Sequence, residues 1–141
     1  MPVDIESVTS LLLKAREGAV SCIKPVLTQH DLTEQQWRVI RELKKHGELN
    51  AQSLARESGI LSPSLSRILA RFTDVGVVVR KVDKDDQRAQ SIRLSAKGKR
   101  LHDKIFPKVE KQHKAMVKSV GNEKLLRLHE LLVHVSEKFP E

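Results

Sequence analysis

Asn50-Ala51-Gln52-Ser53-Leu54-Ala55-Arg56-Glu57-Ser58-Gly59-Ile60-Leu61-Ser62-Pro63-Ser64-Leu65-Ser66-Arg67-Ile68-Leu69-Ala70-Arg71-Phe72 carries the architecture of this chain. It predicts two short helices joined at Gly59. Asn50 is placed to cap the first, whose apolar residues are Leu54 and Ala55. Ser62-Pro63 predicts a serine cap followed by proline at the first helical position, where a missing N–H costs nothing. Leu65, Ile68, Leu69 and Phe72 recur on one face, and the second helix runs toward Gly76. Ala55, Gly59 and Leu65 stand four and six residues apart. That is the spacing of a helix-turn-helix: a small residue for close contact, a glycine for the turn, an apolar residue to lock the second helix. Any pair of antiparallel helices can show it, so the polar face has to discriminate.

That face presents Ser62, Pro63, Ser64, Ser66, Arg67 and Arg71. Small hydroxyls in a first helical turn approach phosphates and base edges without steric cost, and the positive helix end favours phosphate. Arg67 is placed for a guanine edge and Arg71 for a phosphate. A solvated helix face is the alternative. Beyond Gly76 the period changes. Val77-Val78-Val79-Arg80-Lys81-Val82 is β-branched and Ser91-Ile92-Arg93-Leu94 alternates, which predicts two strands around the polar tip Asp83-Lys84-Asp85-Asp86-Gln87-Arg88. An arginine at the tip of a ribbon, Arg88, suits a narrow minor groove with concentrated negative potential. Asp86 is placed to orient that guanidinium, and Arg80 and Lys84 to hold the flanking phosphates. The alternative is a soluble turn.

On either side lie longer helices. Ile5, Val8, Leu12, Ala15, Ala19, Ile23 and Val26 recur at three- and four-residue steps, with Pro25 expected to close or kink the helix. Thr33-Glu34-Gln35-Gln36 has the pattern of a capping box, ahead of the apolar face Trp37, Ile40 and Leu43, and Gly47 ends that helix. Ser95 caps a helix carrying Leu101, Ile105, Val109, Met116 and Val120, with a kink expected at Pro107. Gly121-Asn122 breaks the chain and caps a last helix through Leu125, Leu128, Leu132 and Val135.

Charge separates the function classes. The 141 residues carry 26 Lys and Arg against 18 acids, a net charge of +8. Residues 1–50 are balanced at seven each, whereas residues 51–100 carry eleven basic and five acidic side chains. An excess confined to the segment holding the two short helices and the ribbon is the footprint of phosphate binding. No apolar run approaches the roughly 18 residues of a membrane span, and the first residues lack the basic start and cleavage site of a secretion signal. One cysteine, Cys22, has no partner for an internal disulfide and fits a reducing cytoplasm. Being single, it fits a small hydrophobe better than a redox sensor. The six histidines lack the pairwise spacing of three or four that marks a zinc helix. No Gly-x-Ser-x-Gly, Walker loop or His-Glu-x-x-His occurs, so neither catalysis nor a metal or other cofactor is expected.

Asp86-Gln87-Arg88-Ala89-Gln90-Ser91-Ile92-Arg93-Leu94-Ser95-Ala96-Lys97-Gly98 resembles the Asp-x-Arg…Leu-Thr-x-x-Gly signature of the MarR family of bacterial winged-helix regulators, with Ser95 for the usual threonine. The order of six helices with an intervening wing is similar over essentially the whole chain. Within the family, Leu12-Leu13-Lys14-Ala15-Arg16-Glu17, Pro25, Leu32-Thr33-Glu34-Gln35-Gln36-Trp37-Arg38 and Ile60-Leu61-Ser62-Pro63-Ser64-Leu65 resemble the repressors of homoprotocatechuate degradation (HpaR type). Those tend to have arginine and glycine where this chain has Ser62 and Arg67, which implies a different operator. The resemblance implies a mainly α fold with a small β-hairpin wing, a winged helix-turn-helix flanked by long dimerisation helices. It implies one domain, 1–141, with residues 1–30 and 99–141 for dimerisation and 31–98 as DNA-binding lobe. The apolar stripes at both chain ends support a two-fold homodimer on a pseudo-palindromic double-stranded DNA site. It further implies a repressor released by a small aromatic carboxylate held near Arg16, Gln35 and Trp37. Trp37 as plain core and Arg16 as a subunit bridge are the alternatives to that ligand role. Other classes stay open: a winged-helix module gripping an acidic protein, or a DNA-binding activator without a ligand.

Overall fold

The computed structural model describes residues 1–82, 85 and 90–139. These form α1 (Ile5–Thr28), α2 (Glu34–His46), β1 (Glu48–Asn50), α3 (Ala51–Ser58), α4 (Ser62–Asp74), β2 (Val78–Val82), β3 (Gln90–Leu94), α5 (Ala96–Val120) and α6 (Asn122–Lys138). The mainly helical winged architecture expected from the sequence is observed. The chain divides into two compact units, Met1–Ile23 with Lys108–Glu141, and Lys24–Pro107.

The second unit is the lobe built around the helix-turn-helix. Its α2 starts at the expected capping box. The Gln36 N–H donates to Thr33 Oγ1 at 3.1 Å and the Thr33 N–H donates to Gln36 Oε1 at 3.0 Å. The helix buries Trp37, Val39, Ile40 and Leu43, and Gly47 ends it at φ 81°. Asn50 caps α3 by accepting the Ser53 N–H at 2.7 Å, and Gly59 closes α3 in the left-handed region at φ 67°. Leu54, Leu65, Leu69 and Phe72 are buried, as are Ile92 and Leu94 of the sheet, each at most 2% exposed. His102 lies in this unit between two aromatic rings, 5.5 Å from Trp37 and 5.3 Å from Phe106, both stacked. Its Nδ1 stands 2.9 Å from Asp103 Oδ1. That hydrogen bond, with Lys44 alongside, holds the Asp103 carboxyl below its ordinary range.

Several local expectations are corrected. The cap of α4 is Leu61, not Ser62, which becomes the first helical residue with Pro63 second. Ile60 explains the shift: it is 3% exposed and its N–H is bonded back to Ala55 O at 3.2 Å. Burying Ile60 leaves Leu61 extended at the helix entry, and Pro63 still sits where no N–H is needed. Of the two outcomes expected at Pro25, a close or a kink, the first does not occur: α1 continues to Thr28. Val26 and Leu27 are 9% and 1% exposed, and their burial holds the last turn helical. At the last break Gly121, at φ 102°, is the cap position of α6, and Asn122 is already helical. The sheet has three strands, not two, in the order β1-β3-β2, all antiparallel. Leu49 of β1 faces Ile92, and Arg80 of β2 faces Ile92 from the other side.

In the first unit, residues 1–18 are all exposed and α6 buries no side chain. Ile5, Leu11 and Leu13 are more than half exposed, as are Leu126 and Leu131. Among the described residues no helix is long and apolar enough to cross a membrane.

Candidate nucleic-acid interface

The turn between α3 and α4 is fixed from three directions. Arg38 of α2 donates from Nη1 to the Ser58 carbonyl at 2.7 Å while its Nε stands 2.9 Å from Glu34 Oε1. The Ser58 hydroxyl donates to Leu54 O at 2.6 Å. Gly59 then takes the positive φ that an L side chain rarely adopts. The α4 helix leaves this turn with Leu65, Ile68, Leu69 and Phe72 inward. Its opposite face brings together Ser62, Pro63, Ser66, Arg67 and Arg71, all exposed, with Ser64 half-buried beside them. Because Ser62 is not consumed as a cap, its hydroxyl remains on the exposed first turn. A shallow cleft of about 230 Å³ between α3 and α4 is lined by Ala51, Gln52, Ala55, Ser62, Leu65, Ser66 and Leu69. Its small side chains keep the approach to the start of α4 open.

The wing is anchored where the chain signature lies. The Ser95 N–H donates to Val77 O at 3.0 Å, and the Ser95 hydroxyl faces the carbonyls of Gly76 and Val77. Ser95 Oγ also accepts the Gly98 N–H at 3.0 Å, so the expected cap of α5 is present. Gly98 is buried, and a Cβ there would overlap the Val77 carbonyl oxygen. Lys97 donates from Nζ to Val75 O at 2.6 Å, tying the end of α4 to the start of α5. Four of these residues (Val75, Val77, Ser95 and Lys97) bind the end of α4, the sheet and the start of α5 into one frame. Arg80 is half-buried on β2. Lys84, Asp86 and Arg88 lie outside the described residues.

The three residues assigned to an effector are placed differently. Arg16 is exposed on α1 in the first unit. Gln35 is exposed in the first turn of α2, whereas Trp37 is 1% exposed and stacks on His102. Within the lobe, Gln35 and Trp37 therefore face opposite ways. Cys22 is half-buried with its thiol 3.4 Å from the Gly18 carbonyl. Two residues important to the frame carried weak sequence signals. In the sequence Arg38 stands out only within the stretch 32–38, and Gly98 only as the last letter of the signature.

The MarR family model matches residues 30–89. Over 89% of this chain and 86% of the relative, the chain is 38% identical to the HTH-type transcriptional regulator FarR of Neisseria gonorrhoeae. It is 36% identical to the homoprotocatechuate degradative operon repressor of Escherichia coli, over 90% of this chain and 86% of that one. The crystal structure of NadR in complex with 4-hydroxyphenylacetate superposes with a TM-score of 0.83 at 38% identity, covering 96% of this chain and 98% of that chain.

Proposed function

Because this chain belongs to the MarR family of transcriptional regulators, we propose that it is a cytoplasmic, dimeric repressor that reads a pseudo-palindromic operator and is released by a small aromatic carboxylate. The observation that carries the DNA-reading part is the exposed face of α4. It offers hydroxyls in its first turn and two guanidiniums, while every bulky apolar residue of that helix from Leu65 onward faces the core. Ser62, Pro63, Ser64 and Ser66 fit closely against the major groove, Arg67 takes a base edge and Arg71 a phosphate. Arg80 and Lys84 hold the backbone beside the wing, and Arg88, oriented by Asp86, enters the minor groove. The proposed second copy covers the apolar residues that the first unit leaves exposed, since patches of that kind mark protein contacts.

The effector proposal rests on the likeness to a relative solved with 4-hydroxyphenylacetate. Arg16 is the residue we assign to the carboxylate as a bidentate partner, and Gln35 a polar contact; Trp37, buried and stacked on His102, supports the start of α2 from the core side. Release requires that the ligand bind the DNA-free arrangement more tightly, because only differential affinity shifts a population.

The purified protein, incubated with fragments of its own genome, is expected to retain a few that share an inverted repeat. Retention without any shared sequence would contradict sequence-specific reading. Arg88→Ala is expected to weaken operator binding by about 1–3 kcal/mol, measured as a Kd by fluorescence anisotropy; an unchanged Kd removes the wing from the interface. Affinity is also expected to fall by about three orders of magnitude between 50 and 200 mM salt if the dimer makes six or more phosphate contacts. A flat salt dependence would contradict those contacts.

A further inference from the structure

The last turns of α2 and α3 bring one histidine between two carboxylates. Glu42 and His46 stand four residues apart on one face of α2. The His46 Nε2 lies 3.4 Å from Glu42 Oε2 and 3.9 Å from Glu57 Oε2. One donor atom from each of the three residues lies within 4.8 Å of the others.

Glu42 is unusual for a carboxylate, being only 8% exposed. Its Oε1 accepts from Arg41 at 3.3 Å, but among the described residues its Oε2 meets only the His46 nitrogen, at 3.4 Å. Among the described residues the Glu57 carboxylate likewise meets only that nitrogen, at 3.9 Å. An imidazole nitrogen carries at most one proton, so it cannot make two good hydrogen bonds at these lengths. Two helices also end here, α2 at His46 and α3 at Ser58. Helix C-termini carry partial negative charge, which adds to that of the two carboxylates and favours a cation at this spot.

We propose that Glu42, His46 and Glu57 form a site for a divalent transition-metal ion, with zinc as the probe of choice. One imidazole nitrogen and two carboxylate oxygens, with a position left for water, is a donor set that zinc accepts, and the nitrogen argues against magnesium or calcium. Ligands on a tetrahedral zinc stand about 3.3 Å apart. The His46–Glu42 pair is already at that separation, and only the exposed Glu57 carboxylate has to move in. The ion ties the end of α3 to α2 next to the turn at Gly59, and so stiffens the support of the recognition helix.

The test uses tag-free, full-length protein freed of metal by chelator dialysis. Zinc is titrated against a chromophoric chelator of micromolar affinity, for the native chain and for His46→Gln and Glu57→Gln. One zinc per chain is expected at micromolar or tighter affinity, with at least tenfold weaker binding in both variants and unchanged far-ultraviolet circular dichroism. The Tm of the native chain, but of neither variant, is expected to rise with added zinc. Absence of micromolar binding to the native chain overturns the proposal. Native stoichiometry and affinity in both variants overturn it equally, since the zinc would then sit on other histidines. Glu57→Gln guards against a folding artefact, because Glu57 is exposed and, among the described residues, its carboxylate approaches only His46, at 3.9 Å.

Discussion

Gly98→Ala is expected to lower the free energy of unfolding by about 3 kcal/mol, toward the upper end of overpacking costs. The added methyl has nowhere to go. It would overlap the Val77 carbonyl oxygen and come within 3.1 Å of Leu94 Cδ2. The carbonyl cannot retreat cheaply, because it accepts the Ser95 N–H at 3.0 Å and faces the Ser95 hydroxyl at 3.1 Å. Relief therefore requires prying the start of β2 from the start of α5 and giving up those bonds. Urea denaturation at matched protein concentration measures the change, since an associating chain gains stability with concentration. A midpoint equal to that of the native chain would show that the close approach is absent in solution. The prediction gives the signature a physical meaning: serine caps α5 and holds the Val77 carbonyl, and glycine lets that carbonyl come near.

Trp37→Ala is expected to cost about 3–5 kcal/mol, the range for deleting a buried large aromatic. Trp37 is 1% exposed and its ring is one outer layer of the stack that continues through His102 to Phe106. Deleting it opens a cavity at the start of α2 and strips His102 of one of its two aromatic faces. Trp37→Phe keeps an aromatic ring there and is expected to lose less than half as much. The same denaturation experiment reads both variants. Equal losses would show that indole volume, not the aromatic face, matters, and no loss in either would contradict the burial.

Where side-chain pattern alone governs local structure, the fold was legible from the sequence. Thr33 with Gln36, Asn50, Gly59 and the run Leu65, Ile68, Leu69 and Phe72 each act within one or two helical turns, and each does what its spacing implies. The misses came where tertiary burial overruled a local preference. Ser62 lost the cap position because Ile60 is drawn into the core, and Pro25 stayed inside α1 because its neighbours Val26 and Leu27 are buried. The strand β1 has three residues, too short for any alternation to register, and it exists through its pairing with β3. The polar face of α4 was legible because hydroxyls and arginines segregate cleanly from the apolar face. Arg38 was not, because a guanidinium holding a carbonyl and one facing water have the same sequence pattern.

The strand order has a mechanical side. β3 is the middle strand, with β1 on one edge and β2 on the other. β1 occupies the three residues before α3, so the first helix of the reading head and the ribbon share one hydrogen-bonded yoke. Lys97 and Ser95 lock the other end of α4 to the same ribbon. Displacing α3 relative to the sheet would require breaking the β1–β3 pairing or carrying β3 and β2 along with β1. The cost of separating α3 from the sheet is therefore the loss of that pairing, which ties the two parts of the lobe mechanically.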